Sequence, residues 1–223
     1  MQIEKNLSRI KQLITLYEKK YGRQLGSVRL LAVSKKQSIE KIKQAFQAGQ
    51  SRFGESYVQE ALVKIATLEG IEWHFIGSIQ RNKIRKIAKY FSWVQSVDSI
   101  DSARQLNDQR PAHLPPLSIC IQVNMHDDTT KSGIPIYEIE SLANSCLNLP
   151  HLKLRGLMTI PKSQPDFERT RNNFYQLFLK FQELKNKGIP LDTLSMGMSE
   201  DFEAAIAAGS TMVRIGTAIF GER

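Results

Sequence analysis

No apolar run in this chain approaches the roughly 20 residues a helix needs to cross a bilayer, which sets a membrane-spanning protein aside. The opening segment, "MQIEKNLSRIKQLITLYEKK", has the spacing of a charged amphipathic helix. It has neither the apolar centre nor the small-residue cleavage site of a secretory signal, so the chain is expected in the cytoplasm. Cysteine is scarce, with only Cys120 in a strand-like run and Cys146 in a helix-like one. That excludes a disulfide framework and a zinc knuckle, and both thiols are expected in the core of a protein kept reduced. The four histidines, His74, His113, His126 and His151, share no metal-ligand spacing, so no metal site is expected. His74, mid-strand, reads as a core histidine with its hydrogen bonds met.

Acidic residues are outnumbered, 22 against 31 Lys and Arg, for a net charge of +9. A basic excess suits nucleic acid, a membrane surface or phosphorylated small molecules. The densest basic stretch, "RNKIRKIAKY", puts Ile84, Ile87 and Ala88 on one helical face and the basic residues on the other. Few aromatic residues interleave with those charges, so a solvated helix face is favoured over a nucleic-acid surface.

What is present is alternation. Apolar runs at 28–34, 51–56, 72–78, 92–98, 117–124, 152–160, 192–198 and 211–216 read as strands, and each of the first seven is followed by a helical pattern. Gly49, Gly70, Gly188 and Gly209 stand where helix C-caps belong. Eight strands alternating with helices predict a (β/α)8 barrel in one domain over 1–223, with the N-terminal helix capping its bottom or joining its outer ring. A doubly wound open sheet is the alternative, but no dinucleotide glycine fingerprint follows the first strand.

Barrel enzymes place their chemistry at the C-terminal ends of the strands. Those ends carry Lys35, Gly54-Glu55-Ser56, Gly77-Ser78, Asp98, Asn124, Met158-Thr159, Ser199 and Arg214-Ile215-Gly216-Thr217. Lys35 is the amine that the apolar run "LLAVSK" delivers at its exit. In "LSMGMSEDFEAAIAAG", Ser199 reads as a helix N-cap after a flexible Gly197, a place suited to an anion. Gly216 would let a ligand approach the backbone, and Thr217 offers a hydroxyl and an N–H. Together they predict a phosphate site, provided the carboxylates of Glu200 and Asp201 point away. Arg214, inside an apolar strand, must meet a carboxylate, a carbonyl or a ligand acceptor.

The segments "LLAVSK", "FGESYVQEAL", "EWHFIGSIQRNK", "QVNMHDDTTKSG", "LRGLMTIP" and "LSMGMSEDFEAAIAAGSTMVRIGTAIFG" resemble, in order from Leu30 to Gly221, the pyridoxal phosphate homeostasis protein family. The resemblance implies a barrel of the alanine-racemase N-terminal type holding pyridoxal 5′-phosphate (PLP) as a covalent aldimine on Lys35. It implies phosphate contacts from Ser199, Gly216 and Thr217, with Arg214 facing the pyridine nitrogen and Ser56 and Met198 also beside the cofactor. Ser56 replaces the family's usual asparagine, Ser78 stands where proline or histidine is common, and Lys36 has no assigned role. Family members carry or buffer PLP within vitamin B6 balance, without an established reaction, so PLP-requiring apoenzymes are the implied partners and no catalytic residue is assigned.

Aldimine formation needs a neutral Lys35, and a position at a barrel mouth beside Arg214 would lower its pKa. A guanidinium only donates, which leaves a pyridine nitrogen unprotonated and weakens carbanion stabilisation. With the barrel consuming the chain, no second domain is expected to bring a catalytic base, and a monomer is expected. Three rivals remain: a PLP-dependent racemase-like enzyme with Tyr57 or Lys131 as base, a cofactor-free Schiff-base aldolase, and a nucleic-acid binder using 81–89. Lys131 otherwise reads as a solvated loop lysine, with transient PLP contact the weaker reading.

Overall fold

The computed structural model describes residues 2–125, 132–160 and 166–222. His126, Lys131 and most of the segment after the sixth strand lie outside the described residues.

Eight strands, β1 (Arg29–Val33), β2 (Arg52–Glu55), β3 (Glu72–Phe75), β4 (Trp93–Val97), β5 (Leu117–Val123), β6 (Leu152–Thr159), β7 (Thr193–Ser195) and β8 (Met212–Ile215), form a closed barrel in sequence order. All neighbours are parallel, and β8 closes onto β1 with Arg214 opposite Leu31. The helices are α1 (Gln2–Lys20), α2 (Ile39–Gln47), α3 (Val58–Thr67), α4 (Ile84–Tyr90), α5 (Ile100–Gln109), α6 (Ile139–Leu147), α7 (Phe167–Asn186), α8 (Phe202–Ala207) and α9 (Thr217–Phe220). Among the described residues no helix is long and apolar enough to cross a membrane. The (β/α)8 expectation holds.

Local chemistry sets the helix ends. Ser38, Ser99 and Asp166 each accept a backbone N–H three residues on, capping α2, α5 and α7. The α1 stripe of Ile3, Leu7, Ile10 and Ile14 is buried, and the helix packs against α2, α8 and α9. It therefore joins the outer ring. In α4, Ile84, Ile87 and Ala88 are buried while Arg85, Lys86 and Lys89 are exposed, so the basic run is a solvated helix face. The seventh strand is shorter than its pattern because the chain turns through Gly197 at φ 98°, where a Cβ would stand 2.6 Å from the Ala205 Cβ.

Outward strand residues and the helices share one apolar core. The barrel interior is different, because it mixes Trp93, Cys120 and Met158 with polar groups. Both thiols are buried as expected, and burial pushes Cys120 up to about 12 and Cys146 up to about 11. His74 is fully buried and stacks on Trp93 with ring centroids 5.0 Å apart. Its Nε2 lies 2.8 Å from Glu72 Oε1 and its Nδ1 2.9 Å from Gln95 Nε2. A carboxylate only accepts and an amide NH2 only donates, so the ring is neutral with its proton on Nε2. Burial lowers the His74 pKa from its ordinary 6.5.

Two outcomes follow from this packing. A Cβ at Gly156 would lie 1.6 Å from the Thr193 carbonyl oxygen on the paired strand. Gly156→Ala is therefore expected to exceed the ~1–3 kcal/mol of ordinary overpacking, read as a lowered urea midpoint; an unchanged midpoint would contradict the close approach. For His74, the unfolded state binds more protons than the folded state just below the ordinary value of 6.5. Stability is thus present above that value and lost as pH falls below it. Glu72 shifts in the same stabilising sense but below its ordinary 4.5, outside that window. The loss of urea-denaturation free energy from about pH 7.5 to about pH 5.5 should be smaller in His74→Gln than in wild type, and equal losses would contradict a buried neutral imidazole.

Candidate functional site

A cavity of about 270 Å³ opens at the C-terminal rim, lined by Val33, Lys35, Ile76, Met158, Ile160, Met198, Ser199, Glu200, Asp201, Arg214, Gly216 and Thr217. Six residues expected at a ligand site, Lys35, Met198, Ser199, Arg214, Gly216 and Thr217, thus meet at one opening. Ser56 does not line it. Ser56 lines an adjoining cavity of about 410 Å³ with Tyr57, Ser78, Lys83 and others, and Lys35, Ile76 and Ile160 belong to both. Glu55 and Asp98, also at strand ends, line neither cavity.

Arg214 projects inward from β8 and is only 4% exposed. Its Nη1 donates to Ser195 Oγ at 2.8 Å and its Nη2 to the Thr159 carbonyl at 2.7 Å. The demand of a buried guanidinium is met, by a hydroxyl and a carbonyl. Burial pulls its pKa down to about 10, with the Asp201 carboxylate opposing, so it remains charged at neutral pH. The Ser195 hydroxyl donates in turn to Gln95 Oε1 at 2.6 Å. The chain Arg214–Ser195–Gln95–His74–Glu72 therefore crosses the interior with every donor pointing from the guanidinium toward the carboxylate. Such alignment polarises each bond in the same sense.

One expectation about the β7–α8 connection is corrected. Ser199 is not the N-cap of α8; that position is Asp201, and Ser199 lies in the turn before it. The turn closes because the Asp201 carboxylate accepts the Met198 N–H at 2.6 Å and the Met198 carbonyl accepts the Phe202 N–H at 2.9 Å. Glu200 and Asp201 both line the cavity, and the Asp201 carboxylate is turned to the Met198 N–H. Burial raises the Asp201 carboxyl, opposed by the Met198 N–H and Arg214.

Gly216 lines the cavity and has a second role beside it. A Cβ there would stand 3.2 Å from the Val33 carbonyl oxygen, so its bareness lets the ends of β8 and β1 close together. Thr217, at the start of α9, is exposed at the cavity edge. Of the walls Val33, Ile76, Met158 and Ile160, only Met158 was named in advance, among the strand ends. Period-two alternation offered a signal for Val33, Met158 and Ile76, the last lying two residues past the inward His74.

This geometry can be set beside known proteins. Residues 3–223 match the family model of the alanine racemase N-terminal domain. The pyridoxal phosphate homeostasis protein of Escherichia coli (strain K12) is 47% identical over 226 residues, covering 99% of this chain and 97% of that protein. The PLP-bound structure of PipY from Synechococcus elongatus superposes with a TM-score of 0.86 at 33% identity, over 99% of this chain and 100% of the other. Alanine racemase from Corynebacterium glutamicum shares the fold alone, with a TM-score of 0.72 at 14% identity, and the match spans 61% of that chain. By full-length identity to its relatives and by its barrel, the chain belongs to the pyridoxal phosphate homeostasis protein family.

Proposed function

We propose that this protein binds PLP in the 270 Å³ cavity and carries or buffers it, with Lys35 attached to it as a Schiff base. The observation that carries the reading is the meeting of one amine, one buried guanidinium and two hydroxyl side chains around a single opening with apolar walls. That donor set fits the cofactor. Val33, Ile76, Met158 and Ile160 suit the faces of a ring, Ser199 and Thr217 suit a phosphoryl group, and Arg214 suits an unprotonated ring nitrogen. The relative named for PLP homeostasis and the neighbour solved with PLP support the same ligand.

Bound here, the cofactor supplies an aldehyde that exchanges between amines. Lys35 would hold it through its side-chain amine, which acts as a nucleophile only when neutral. Arg214, charged at neutral pH and held by Ser195 and Thr159, can only donate, so it does not protonate the ring nitrogen. A weaker electron sink favours carriage over carbanion chemistry. The Asp201 carboxylate, turned to the Met198 N–H, limits repulsion toward a phosphoryl group. The barrel would act as a single domain, as a cytoplasmic monomer, passing PLP to PLP-requiring apoenzymes.

A second reading, a racemase-like enzyme, draws on Tyr57, which lines the adjoining cavity together with Lys35. The two readings part on turnover.

Wild-type protein mixed with PLP is expected to develop a visible imine absorption band, and Lys35→Ala to show none. A band of equal size in Lys35→Ala would overturn the reading. Steady conversion of L- to D-amino acids that vanishes in Lys35→Ala would instead favour the enzyme. Ser199→Ala and Thr217→Ala should each weaken PLP affinity about tenfold, the lower end for a hydrogen bond to a charged group; unchanged affinity in both would remove the phosphate assignment.

A further inference from the structure

Lys35 leaves β1 in a turn that is gripped from outside the barrel. Lys64, on the inward face of α3 with Val58 and Ala61, is buried at 3% exposure. Its Nζ donates to the Ser34 carbonyl at 2.8 Å, to Glu55 Oε1 at 2.8 Å and to Glu60 Oε1 at 2.6 Å. Glu60 Oε1 also accepts the Lys36 N–H at 2.6 Å, and Glu55 Oε1 accepts the Ser34 hydroxyl at 2.5 Å. One ammonium and two carboxylates therefore hold the carbonyl before Lys35 and the N–H after it. Lys36 sits at φ 61°, the one non-glycine residue with positive φ among those described. Such a backbone persists only where its surroundings fix it.

The cluster is a poor way to gain stability. Buried ion groups lose hydration that their mutual attraction only partly restores. Here Glu55 Oε2 is buried with no hydrogen-bond partner among the described residues, and burial raises that carboxyl. What the cluster does achieve is geometric, since its contacts fall on the main chain flanking the cavity amine.

We infer that Lys64 and Glu60 are positioning residues for Lys35, fixing the turn that aims its amine into the cavity. The inference rests on the reading of Lys35 as the PLP-bonding lysine. It also gives Lys36 a role that its side chain does not announce, because the cluster takes its backbone N–H.

The test measures two quantities on the full chain. One is the rate at which the imine band appears on mixing with PLP, and the other is the affinity for pyridoxine 5′-phosphate, which has the ring and phosphate but no aldehyde. Glu60→Ala removes the acceptor for the Lys36 N–H from a partly exposed site and should fold; Lys64→Met removes the ammonium. Both are expected to slow band formation about tenfold, a fraction of the ~100-fold that a misplacement of about 1 Å costs, while aldehyde-free affinity changes little. Glu60→Gln keeps an acceptor and should restore most of the rate. Ile87→Val, a core change on α4, serves as a destabilised control and should leave the rate alone. If Lys64→Met does not fold, Glu60→Ala decides. Wild-type rates in Glu60→Ala, or equal slowing in Ile87→Val, would overturn the positioning role. No imine band in wild type would instead overturn the reading of Lys35 itself.

Discussion

A guanidinium enclosed in a closed barrel has to be held there, and the interior is arranged around that need. Arg214 cannot shed its charge at neutral pH, and unpaired burial would cost several kcal/mol. Its two terminal nitrogens donate to Ser195 and the Thr159 carbonyl, and the polarisation is passed along Gln95 and His74 to Glu72. The carboxylate at the far end lies at the start of β3, where it also meets Arg52 at 3.3 Å. The positive end of this polar column lines the cavity and the negative end lies at the opposite face of the barrel. A ligand acceptor at the rim would therefore face a donor already fixed in direction.

The same barrel supplies the second requirement, an amine at the mouth. β1 is flanked by β2 and β8, so its exit is pinned on both sides before any side chain is considered. Gly216 allows the end of β8 to close on Val33, and this brings Thr217 and Lys35 to one opening. Amine, guanidinium and hydroxyls come from widely separated stretches of sequence and are assembled by strand order alone. In a parallel barrel every strand delivers its C-terminal residue to the same rim.

Much of this was legible in the sequence because it follows from short-range pattern. Eight apolar runs between helical stretches carry the barrel, and the i, i+3, i+4 stripe of α1 carries its packing. The rim residues Lys35, Ser199, Gly216 and Thr217 follow from strand ends. What escaped reading depends on side-chain direction and long-range partners. Asp201 opens α8 and looks like a helix-dipole carboxylate, yet its side chain closes the turn on Met198. Ser56 sits one residue past β2 and lines the neighbouring cavity, a placement set by where the chain goes after the strand. Glu55 was grouped with the rim but faces α3, where Lys64 meets it. Glu60 and Lys64 have the spacing of an ordinary i, i+4 helix pair, and only the fold reveals that it clasps the turn after β1.

The central claim is that the amine delivered by β1 is the one that bonds the cofactor. Reduction of the PLP-loaded protein with borohydride, proteolysis and peptide mass spectrometry would locate the attachment directly. The account predicts a pyridoxyl group on Lys35 as the dominant product. A group found chiefly on Lys36 or on the basic face of α4, or none at all, would contradict it.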